Sequence, residues 1–116
     1  MAEALGATGE PSVHEVVLTG QVDDVAWPGA VITRALCRHW QHDGPCRWPH
    51  HNEAIPHPGG LTVRTVFVAS RDEQPEVLGR IAAALEAEPA WRVSSLGPTG
   101  PRPDERALWE KLSTNR

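Results

Sequence analysis

The sequence has no tyrosine, one phenylalanine, one methionine and two cysteines. With so few large rings, core volume falls to Val, Leu, Ala and five tryptophans. A hydrophobic share of 40% suffices for a modest core and exceeds what a disordered chain carries. No apolar run approaches the roughly 20 residues of a membrane-spanning helix. Lysine is almost missing as well: Lys111 is the only one among 11 Lys and Arg, a bias typical of a GC-rich bacterial coding sequence. Fifteen acidic side chains outnumber them and give a formal charge of −4, which excludes duplex nucleic acid as a partner, because that binding requires many phosphate-neutralising cations. Two cysteines are too few for a secreted disulfide scaffold, so reduced thiols are the default. Residues 1–11 show neither the basic start nor the apolar middle of a secretory signal, and the expected location is cytoplasmic.

The 116 residues fit one domain around one core. Residues 1–11 read as a flexible N-terminal tail and 12–116 as a single α+β domain. Alternation of β-branched residues predicts a first strand over 13–22, with Val16, Leu18 and Val22 on one face and Val13 and Val17 on the other. Asp23 and Asp24 offer an N-cap, and Val25, Gly29, Ile32, Leu36 and Trp40 recur at helical spacing over 25–40. Pro and Gly then punctuate the chain to residue 60, so 37–60 is expected to be a long loop region. A short extended run near 47–54 fits only at a sheet edge, because of Pro49. The clearest strand is 61–70 (LTVRTVFVAS), which places Leu61, Val63, Phe67 and Ala69 on one face and Arg64, Val66 and Val68 on the other. Asp72 is the expected cap of a second helix with Val77, Leu78, Ile81 and Leu85 as its stripe. A last strand over 91–96, a Pro/Gly linker over 97–103 and a short helix over 104–112 complete the chain. This order predicts a ferredoxin-like split βαβ sandwich (βαββαβ) with an extra C-terminal helix.

Chemistry concentrates in one window. Five of the six histidines and both cysteines lie between residues 37 and 57. Thiolate and imidazole are the ligands Zn²⁺ prefers, four of them closing a tetrahedral site. The preferred set is Cys37, His42, Cys46 and His50, with His51 and His39 as alternates; Cys37 and His39, two apart, point in opposite directions on a continuous helix. The metal-free reading makes Cys37 a small buried hydrophobe and the histidines solvated loop residues. Outside the window, Arg64 is a mid-strand cation able to hold an anion on an open sheet face, or simply a residue of a solvated face. Trp48 is either a pocket wall or core bulk, and His14 is a polar group at the start of the first strand.

These readings converge on a small cytoplasmic metal-binding α+β protein, zinc its expected cofactor, acting as an accessory or regulatory binder of a partner protein or small ligand. The alternatives are a small ferredoxin-like enzyme using His14 and Arg64 at the sheet face, expected to be a homodimer, and a metal-free interaction module.

Overall fold

A computed structural model describes residues 10–37 and 48–114. Among them, four strands and three α-helices follow in the order β1 (Glu10–Gly20), α1 (Trp27–Cys37), β2 (His50–His57), β3 (Gly60–Ala69), α2 (Gln74–Glu86), β4 (Trp91–Pro98), a 3₁₀ turn (Pro103–Glu105) and α3 (Arg106–Thr114). The fold is α+β: one four-stranded antiparallel sheet, spatial order β2-β3-β1-β4, with β3 and β1 in the middle. No helix among the described residues is long and apolar enough to cross a membrane.

Parity along the central strands sets two faces. On one, Val16, Leu18, Leu61, Val63, Phe67 and Ala69 meet Ile32 and Leu36 of α1, Val77, Ile81 and Leu85 of α2, and Trp48. On the other, Val13, Val66 and Val68 meet Leu112, with Leu108 and Trp109 packed alongside. Side chains of a strand alternate between faces, so the two strands' expected apolar faces are the observed ones.

Several boundaries differ from expectation, each for a local reason. β1 starts at Glu10, because β3 extends far enough to pair Glu10 with Ala69; the ordered chain thus reaches into the expected tail. The first helix starts later than residue 25: Asp24 accepts the Ala26 N–H through Oδ1 (3.0 Å) ahead of it, while Val25 stays outside the helix and 46% exposed; the expected residues 38–40 lie outside the described residues. Its buried face is Pro28, Val31, Ile32 and Leu36. Residues 50–57 of the expected loop region are the edge strand β2, joined to β3 by a tight turn. Gly59 takes the left-handed φ of +82° in that turn, a conformation L side chains rarely adopt. Gly60 is required by close approach, since a Cβ there would lie 2.0 Å from the Leu18 carbonyl oxygen. Gly97 and Pro98, expected in the linker, complete β4 against Glu15 and His14. Ser70, not Asp72, opens the way into α2. Its hydroxyl accepts the Glu73 N–H (3.2 Å) while Glu73 Oε1 accepts from the Ser70 N–H and hydroxyl (3.3 and 3.0 Å), a reciprocal capping box.

The C-terminal arm covers the second face, and a charge holds it there. Arg64, 4% exposed, donates from Nε and Nη2 to the two oxygens of Glu105 (2.6 and 2.9 Å), from Nη1 to Glu15 Oε2 (2.8 Å) and from Nη2 to the Gly100 carbonyl (2.6 Å). The arm buries Leu112 and, in part, Leu108 and Trp109. The bidentate ion pair fixes where these few apolar residues sit. Hydrogen bonds from Arg64 hold the Glu105 carboxylate down to about 2, against its burial and with help from the Arg102 backbone N–H.

Because that carboxylate binds protons less readily folded than unfolded, its stabilisation is complete above about pH 4.5 and is lost as pH falls towards 2. Glu105→Gln is expected to cost roughly 3–5 kcal/mol at pH 7, the usual consequence of removing one partner of a buried pair. Urea unfolding at pH 7 and pH 3 checks both points: the variant's deficit narrows at pH 3, and an equal deficit at both values contradicts the assignment.

Candidate functional site

A concavity on the helix-bearing side lies between α1 and β2. It is a groove of about 520 Å³, bordered by the exposed Val25 and Ala26 on one side and Ala54 on the other, with Gly29, Thr33, His50, Asn52 and the buried Val63 below. Edge position explains it. β2 is the outermost strand on this side, and its helix-facing residues His50, Asn52 and Ala54 pair with Phe67, Thr65 and Val63 of β3. Gly29 allows α1 to come close to β2, since a Cβ there would lie 3.3 Å from that of Asn52.

The floor is one directed hydrogen-bond network. The Thr65 hydroxyl donates to Asn52 Oδ1 (2.8 Å), and Asn52 Nδ2 donates to the Gly29 carbonyl (3.1 Å) and, at 3.4 Å, to Thr33 Oγ1. Thr33 Oγ1 lies 3.0 Å from His50 Nε2, and His50 Nδ1 lies 2.9 Å from the Trp48 carbonyl. A carbonyl only accepts, so Nδ1 carries the proton; in the neutral ring Nε2 then accepts from the Thr33 hydroxyl. Thr33 Oγ1 thus accepts from Asn52, donates to His50 and retains one acceptor position.

The residues expected at a site are distributed as follows. His50 is half-buried in the floor, and its Nδ1 is 3.9 Å from Cys37 Sγ at the end of α1. Cys37 is disulfide-bonded, which corrects the reduced thiol expected from composition; a disulfide sulfur is not a thiolate and is no metal ligand in this state. His39, His42 and Cys46 lie outside the described residues. His51 is exposed, bordering both this groove and the pocket on the opposite face. Among the described residues, no group of three or more His, Cys, Asp or Glu is placed to hold a metal ion. Trp48 is core, 1% exposed, with the Arg80 guanidinium 5.1 Å over its ring. Arg64 is committed to Glu105, Glu15 and Gly100 beneath the C-terminal arm, so the sheet face expected to be open around it is covered.

His14 is buried, stacked on Phe67 at 5.2 Å between centroids and bonded through Nε2 to the Ser12 hydroxyl (2.7 Å). Its Nδ1 is buried without a hydrogen-bond partner. Sequence reasoning passed over Thr33, Asn52 and Glu105. Asn52 had one readable signal, a polar side chain on the helix-facing parity of a strand; the other two depend on contacts between distant segments.

Burial lowers the pKa of His14 below its ordinary 6.5. The unfolded chain therefore takes up this proton first, and stability falls as pH drops below about 6.5. His14→Leu, which keeps the apolar contact with Phe67, is expected to flatten the decline of Tm between pH 7.5 and 5.5. An unchanged slope in calorimetry contradicts it. Compared with known proteins, the chain matches no family model and no curated protein sequence.

Proposed function

We propose that this chain is a small binding domain of ferredoxin-like architecture that takes a small organic molecule in the groove between α1 and β2. The strand order β2-β3-β1-β4, all neighbours antiparallel, with α1 and α2 on one face, supports the ferredoxin-like reading. The observation that carries the functional reading is the groove: about 520 Å³, within the range of small-molecule sites, with an apolar rim over a wired polar floor. The remaining acceptor position of Thr33 suits a ligand with an N–H or O–H at one end of an apolar body. Both ring nitrogens of His50 and the whole Asn52 amide are engaged, which favours binding over catalysis. The disulfide at Cys37 favours an oxidising compartment over the cytoplasm for this form of the protein.

The test is a fragment screen by amide NMR on the oxidised protein. Hits bearing one donor on a small apolar body are expected to shift Thr33, Asn52 and Ala54 together. Ala54→Trp, at an exposed position, is expected to fill the groove and abolish those shifts. Hits scattered over the surface, or undiminished in Ala54→Trp, remove the reading.

A second reading, zinc bound by the reduced protein, is favoured by the approach of Cys37 Sγ to His50 Nδ1 at 3.9 Å. Sulfur and nitrogen ligands of one tetrahedral zinc lie roughly 3.5 Å apart, given metal–ligand distances near 2.3 and 2.0 Å. Cys37 must first be reduced to provide a thiolate, and His50 Nδ1 must give up its bond to the Trp48 carbonyl. His51 and the expected His39, His42 and Cys46 are the remaining candidates. Native mass spectrometry is expected to show one zinc on the reduced chain, none on the oxidised chain and none on reduced Cys37→Ser. A reduced chain that takes up no zinc ends this reading.

A further inference from the structure

We infer that the C-terminal arm carries a separate pocket for a small organic carboxylate with a flat apolar body. The pocket, of about 410 Å³, is lined by Pro101, Arg102, Pro103, Arg106 and Trp109. It shares no residue with the groove between α1 and β2. Two pyrrolidine rings and an indole supply its walls, and both charged residues that line it are cations.

The hydrogen-bonding inventory points to an acceptor. Trp109 Nε1 and Arg102 Nε are buried and without hydrogen-bond partners; the latter lies 3.4 Å from Asp104 Oδ1, outside hydrogen-bond geometry. A buried donor left unpaired is costly, so Trp109 Nε1, with no acceptor beside it, calls for one from the cavity. None of the five lining side chains can accept, since guanidinium and indole N–H groups only donate and proline offers only its carbonyl.

Charge decides that the acceptor is anionic. Arg102 spends its Nη2 on Glu53, but Arg106 is exposed and has no hydrogen bond or ion pair among the described residues. Arg106 also opens α3, where the helix dipole adds positive potential. The nearby carboxylates are spent on Arg102, which is ion-paired with Glu53, Asp104 and Glu105; neither Asp104 nor Glu105 lines this pocket, and Arg106 is left as its uncompensated cation. One uncompensated cation matches a single negative charge. The ring-built walls match a flat body, which stacks on indole and guanidinium planes.

The experiment titrates the full oxidised chain with benzoate, benzamide and inorganic phosphate, following the tryptophan indole N–H signals by NMR; Trp109→Phe assigns the one that matters. Benzoate is expected to shift the Trp109 signal saturably, with benzamide about tenfold weaker or worse, as loss of one charge-assisted hydrogen bond implies. Arg106→Gln, at an exposed position, is expected to leave Tm unchanged and weaken benzoate by a similar factor. An unmoved Trp109 signal, an Arg106→Gln titration identical to the parent's, or benzamide binding as well as benzoate overturns the inference. Phosphate binding as tightly as benzoate overturns it too, since a bare anion then suffices.

Discussion

A guanidinium in the middle of a central strand, on a face the chain later covers, has to be neutralised where it stands. Arg64 occupies that position, and the course of the last part of the chain follows from it. Glu105 comes from a 3₁₀ turn beyond β4, Glu15 from the neighbouring strand β1, and the Gly100 carbonyl from the connection between β4 and α3. Three separate segments thus converge on one side chain. The apolar residues that α3 brings to this face are few, and they gain their place because the ion pair fixes the arm over Val13, Val66 and Val68. A buried pair does not by itself add much net stability compared with apolar packing. Its importance here is that this arrangement of the arm satisfies the charge.

The opposite face is organised differently. Polar groups there form a seam between α1 and the edge of the sheet, running Thr65, Asn52, Thr33, His50 and on to the Trp48 carbonyl. With His50 neutral, each link has a determined direction, because the chain ends on a backbone carbonyl that can only accept. Such a seam gives α1 a fixed position beside β2 while leaving the space above it uncovered. The groove is therefore a result of packing an eleven-residue helix against an edge strand that extends past it. The pocket on the C-terminal arm has another origin, in a proline-stiffened connection that turns into α3 with donors left over.

The window rich in histidine and cysteine serves more than one end. Its last part becomes β2, with His50 drawn into the seam. Cys37, at the end of α1, is closed in a disulfide, so the chemistry open to this region depends on redox state. Oxidised, the cysteine anchors the end of a helix; reduced, it would stand beside an imidazole.

Sequence periodicity alone determined the apolar faces of β1 and β3, the α2 stripe and the α+β class, because alternation and helical spacing are local properties that a core can only ratify. It also marked the segment from which His50 joins the polar seam. Boundaries moved wherever a distant partner decided them: Glu10 is strand because Ala69 lies opposite, and residues 50–57 are strand despite Pro56 because β3 offers an edge. The role of Arg64 was decided entirely by tertiary structure. In the sequence it is a cation on one strand face, equally suited to solvent or to an external anion; only the fold brings Glu105 to it from 41 residues away. The same holds for Thr33 and Asn52, ordinary polar residues until a helix and an edge strand bring them within hydrogen-bonding distance.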